Sequence, residues 1–119
     1  MRLVYAHDAV VRMSPASDSK AVGAAVTVSL CGDWQHDPPC PMAPHHTHTE
    51  TDASEVRVRT LFAAEPSLEG EVRRRINHAL DVGRLRVPEG MTAEWEVVTS
   101  QPGVVREDER EHGDRLICS

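Results

Sequence analysis

The sequence predicts an α+β fold, a small mainly antiparallel sheet of about four strands in the order β-β-β-α-β with one amphipathic helix on one face. Three observations carry this. In "EVRVRTLFAAE", Val56, Val58, Thr60 and Phe62 alternate with Arg57, Arg59 and Leu61, the period-two pattern of a strand with one wet face. In "PSLEGEVRRRINHAL" the period changes: Leu68, Val72, Ile76, Ala79 and Leu80 recur at steps of three and four, the stripe of an amphipathic helix. In "TAEWEVVTS", Ala93, Trp95 and Val97 alternate with Glu94, Glu96 and Val98, giving a final strand.

Taken in order, "RLVYAHDAVVRM" is rich in β-formers and stops at the turn residues of "SPASDS", so it reads as the first strand. "GAAVTVSLCGDW" sets Val26, Val28 and Leu30 against Thr27, Ser29 and Cys31 and predicts a second, half-buried strand. A proline-rich loop at residues 31–50 follows, then the strand of "EVRVRTLFAAE". For the helix, Ser67 is the expected N-cap, Glu69 and Glu71 suit the positive first turn, and Gly83 is placed to end it in a left-handed conformation. The tail at 106–119 mixes charges at helical spacing and is expected to be solvated or frayed, docked at most by Leu116 and Ile117.

A chain of 119 residues with no internal repeat is one domain by size. Aromatic residues are so few (Tyr5, Trp34, Phe62 and Trp95) that the core must come from Val, Leu, Ala and Ile, and homodimerisation through a sheet face or edge would cover what these leave exposed. The formal charge of −6 argues against nucleic acid and anionic membrane surfaces as partners. "MRLVYAHDAVVRMS" has no uninterrupted apolar run, and no stretch reaches the ~20 apolar residues of a membrane span, so a cytoplasmic location is expected.

The densest chemistry lies in "CGDWQHDPPCPMAPHHTHTE", which holds two of the three cysteines and four of the seven histidines. A loop of ~20 residues inside a compact domain needs a restraint. Zinc, or a similar transition metal, takes thiolate and imidazole in a tetrahedral set, and Cys31, His36, Cys40, His45, His46 and His48 exceed the four ligands required. The spacing fits no zinc-finger formula. If "HHTHTE" opens the strand leading into "EVRVRT", His46, His48 and Glu50 project from one side and could hold a metal with open positions. The competing readings are a Cys31–Cys40 disulfide, a nucleophilic thiol at Cys40, and a polar loop without ligand.

Elsewhere, Arg73, Arg74 and Arg75 read as a solvated helix face balanced by glutamates, His7 and His112 have no ligand-type neighbours in sequence, and Cys118 reads as a bystander thiol. No phosphate loop, serine elbow or dinucleotide fingerprint is present. The functional expectation is a small metal-binding protein of structural, sensing or partner-recognition role. Its alternatives are a metal- or cysteine-dependent enzyme built on the 31–50 loop and a metal-free dimeric interaction domain.

Overall fold

A computed structural model describes residues 2–13, 20–31, 44–86 and 92–118. The elements are β1 (Leu3–Met13), α1 (Lys20–Cys31), β2 (His45–Asp52), β3 (Glu55–Ala64), α2 (Glu69–Val82), β4 (Arg84–Arg86), β5 (Thr92–Gly103) and α3 (Arg110–Ile117). Short 3-10 turns precede α2 at Pro66–Leu68 and α3 at Glu107–Glu109. The strands form one sheet in the order β2-β3-β1-β5-β4, every neighbouring pair antiparallel. This path is the split β-α-β arrangement, here with a short extra strand beside β5 and a helix after it.

The α+β class and the amphipathic helix are as expected, and the described residues form five strands and three helices where about four strands and one helix are predicted. The segment read as a second strand, "GAAVTVSLC", is the helix α1. Its buried residues Ala21, Val22, Ala25, Val26 and Leu30 fall at helical spacing, while Val28 is only half-buried. The same apolar run satisfies both periods, and packing on α2 and the sheet decides between them. The residues "HHTHTETD", placed mostly in a loop, are the edge strand β2, which turns through Ala53 (φ 56°) into β3.

α1 and α2 share one face of the sheet. Their stripes meet Val11, Met13, Val56, Val58, Phe62 and Trp95 in the main core. Leu68 is the N-cap of α2 and makes no side-chain cap bond, so Ser67 lies in the preceding 3-10 turn and is not the N-cap. It ends as expected at Gly83 (φ 74°), where an added Cβ would stand 2.9 Å from the Trp95 carbonyl oxygen.

The other face carries a smaller core: Ala6, Leu61 and Ala63 beneath Leu116 of α3, with Val105 and Ile117 beside it. The C-terminal tail is therefore a docked helix. An added Cβ at Gly113 would meet the Val4 methyls at 2.9 Å, so a glycine lets α3 approach β1. Among the described residues no helix is long and apolar enough to cross a membrane.

Candidate functional site on the open face of the sheet

Strand alternation divides the histidines of β2 between two environments. Thr47 and His45 face the helical layer: Thr47 Oγ1 lies 3.3 Å from Thr60 Oγ1, and His45 Nε2 lies 3.1 Å from Thr27 Oγ1 of α1. His46, His48 and Glu50 face the other way, towards α3. His48 Nε2 is 3.3 Å from Glu50 Oε1, and the His46 ring lies 4.6 Å, centroid to centroid, from that of His112 on α3. Burial, and then the neighbouring rings of His112 and His48, lower the pKa of His46 and favour its neutral form.

Arg59 of β3 brings His112 to this place. Its guanidinium donates to both carboxylate oxygens of Glu109 (2.8 and 2.6 Å), to Asp8 Oδ1 (2.6 Å) and to the Val104 carbonyl. One side chain thus ties β1, β3 and the segment leading into α3. The bidentate bond to Arg59 holds Glu109 down to a pKa of about 2, and the same bonds raise Arg59. Gly103 permits the arrangement, because a Cβ there would collide with the Asp8 carboxylate and stand 3.2 Å from Arg59 Nη1.

Two clefts of about 260 Å³ each flank this hub. One is lined by His46, His48, Leu61, Asp108 and His112, the other by Asp8, Val10, Glu50 and Arg57, and His48, Arg59 and Arg106 line both. The two clefts thus meet at His48, Arg59 and Arg106, and one of them brings together the imidazoles of His46, His48 and His112.

Of the six predicted metal ligands, the structure brings His46 and His48 together and separates His45 from them across the sheet. Cys31 ends α1, and its side chain lies outside the described residues, as do His36 and Cys40. Among the described residues no group of three or more His, Cys, Asp or Glu side chains stands ready to hold a metal ion. His112, set aside in the sequence for want of suitable neighbours, is the residue that tertiary structure adds. Its sequence signal is faint: a histidine three residues after Glu109 in a short helical pattern.

A second polar cluster lies under α2. Arg73 Nη1 donates to the Ala6 carbonyl (2.8 Å) and to His7 Nδ1 (3.1 Å), and His7 Nε2 lies 2.8 Å from Ser100 Oγ. Because arginine only donates, Nδ1 accepts and Nε2 carries the proton. His7 therefore donates to Ser100, whose hydroxyl donates to Asn77 Oδ1. A histidine that donates to a serine cannot deprotonate it, so this is a structural network and not a nucleophile pair. It also corrects the sequence reading of Arg73, which turns inward and lies 5.8 and 5.3 Å from the Tyr5 and Phe62 ring centres, while Arg74 and Arg75 pair with Glu71 on the surface. Comparison with protein-family models, curated proteins and solved structures returned no match.

Proposed function

We propose that this chain is a small metal-binding protein of the zinc class, its ion bound where β2 meets α3 by His46, His48 and His112. The carrying observation is the contact of the His112 ring with His46 on the face from which His48 also projects. Two histidines separated by one residue on a strand share a face and can chelate one ion, and a third imidazole from another element makes a three-nitrogen set suited to zinc. The 3.3 Å contact of Glu50 with His48 Nε2 supports this reading, since a carboxylate on one ring nitrogen orients the other towards a metal.

The donor types fit. The rings would have to turn to converge on one ion, since those of His46 and His112 meet tilted at 53° and among the described residues no three such side chains are arranged to hold one as they stand. A fourth position is left for water or for a donor from the segment entering β2, where the sequence has His36 and Cys40. Such an ion would join residues 46 and 48 to residue 112, so its binding free energy would become docking free energy for the C-terminal arm. That is a structural or sensing role.

The test is calorimetric titration of zinc into reduced, untagged protein carrying Cys31→Ser and Cys40→Ser. The expected result is one equivalent bound, weakened at least tenfold by His46→Ala or His112→Ala and retained in His45→Ala. Loss on His45→Ala with retention in His112→Ala would overturn the site, and absence of binding in the thiol-free protein would return the metal to the cysteines.

A further inference from the structure

The two edges of the sheet are finished differently. β4 is three residues long and carries Arg84 and Arg86, while β5 beyond it has a register break opposite Val10 and Val11 and contains Pro102. Short length, charge, a bulge and proline are the ordinary means by which a sheet edge is kept from pairing with another chain. Of these β2 has only charge, at Glu50 and Asp52. Its eight residues pair with β3 without a register break from His45↔Phe62 to Asp52↔Glu55, and it contains no proline, lysine or arginine. Among the described residues no strand lies on its outer side, and a cleft of about 320 Å³ lined by Lys20, Gly23, Thr27, Thr47 and Thr49 lies between α1 and this edge.

The order of residues along β2 is also self-complementary. On the arm-facing side it reads His46, His48, Glu50, Asp52: imidazoles first, carboxylates second. We propose that β2 pairs antiparallel with β2 of a second copy about a two-fold axis at Thr49, joining the two sheets into one. That register sets His48 opposite Glu50 of the partner subunit and His46 opposite Asp52 of the partner subunit. On the other side Thr47 meets Thr51 of the partner subunit. A register centred on His48 or on Glu50 would instead set like groups against each other at its centre. An imidazole N–H donates to a carboxylate whether or not the ring carries a second proton, so the match holds in both protonation states. The side chains of His48 and Glu50 are 62% and 64% exposed, and their contact within the strand would be exchanged for contacts across the axis. The inference needs only the edge and does not depend on the metal reading.

Sedimentation of the reduced full chain over a concentration series, with chelator present to remove metal-mediated association, should reveal a reversible dimer. Glu50→Lys should weaken it at least tenfold, with circular dichroism confirming that the variant is folded. Opposed residues of an antiparallel pair have Cα atoms about 4.5–5.5 Å apart, within disulfide range. Thr49→Cys should therefore form an intermolecular disulfide under mild oxidation much faster than the unaltered chain or Thr51→Cys. A strict monomer at the highest soluble concentration overturns the proposal. So does a dimer in which Thr49→Cys crosslinks no faster than Val10→Cys on the open face.

Discussion

The bond from Arg73 to His7 Nδ1 fixes more than a tautomer. A protonated imidazole has no lone pair to accept it, and burial together with the nearby guanidinium lowers the His7 pKa. The unfolded chain binds this proton near the ordinary value of 6.5 and the folded chain only at lower pH. Stability is therefore full above pH 6.5 and declines as the pH falls from there towards the folded value, by at most about 1.4 kcal/mol per pH unit for one proton. Urea midpoints measured at pH 7.5 and pH 5.5 should differ in the unaltered protein and differ less in His7→Gln; an unchanged difference would remove His7 as its cause. Because the His46 pKa is lowered as well, a His46→Ala control separates the two contributions. Neither His7 nor His112 was legible in the sequence. Their partners lie 93 residues away for His7 and Ser100, and on a different element for His46 and His112, and one sequence records no such pairing. His46, His48 and Glu50 were legible, because alternation along a strand needs only neighbours.

At the scale of elements, α2 and β5 stabilise each other through one side chain. The indole of Trp95 donates to the Leu80 carbonyl at 2.9 Å, and the Trp95 backbone N–H donates to the Gly83 carbonyl at 2.9 Å. The indole thus adds a second donor to a carbonyl in the last turn of α2 that also accepts the Gly83 N–H at 3.1 Å, while its ring fills the core. Trp95→Phe keeps most of the apolar area and removes the donor, so it should lower the unfolding free energy by about 1–2 kcal/mol, whereas Trp95→Ala should cost about 3–5 kcal/mol. Denaturant unfolding followed by circular dichroism reads both, and a Trp95→Phe variant as stable as the unaltered protein would mean that packing alone holds the junction. The helix at this junction was readable from its stripe and its terminal glycine. α1 was not, because Val22, Val26, Val28 and Leu30 satisfy alternation as well as helical spacing, and β-branched residues tip a local reading towards strand. What settles α1 is the layer it must cover, which is a tertiary fact.

Across the whole molecule the C-terminal arm is a layer with its own, smaller stability. Leu116 is its one buried large side chain, and burying a leucine contributes about 2 kcal/mol. The polar share comes from Arg59, whose charge-assisted bond to Glu109 contributes about 1.5–3 kcal/mol before the entropy of ordering the arm is subtracted, while its bond to Asp8 of β1 holds the guanidinium in place. The main core on the helical face involves none of these groups. Loss of the Arg59 hub should therefore release the arm while the sheet, α1 and α2 stay folded, a sub-global opening. Acid acts on the same hub. Glu109 is held at about 2, below its ordinary 4.5, so docking is fully supported above pH 4.5 and loses this support as the pH falls from there towards 2. In Arg59→Met at neutral pH, tryptic cleavage after Arg110 and Arg115 should accelerate while β1, β3 and α2 remain protected. In the unaltered chain at pH 3, hydrogen exchange should quicken across Arg110–Ile117 before it quickens in β1. If the proposed site at His46, His48 and His112 binds zinc, Arg59→Met should also weaken that binding, since His112 leaves with the arm although Arg59 itself is no ligand. A single transition in which arm and sheet lose protection together would show instead that the arm is an inseparable part of one cooperative unit.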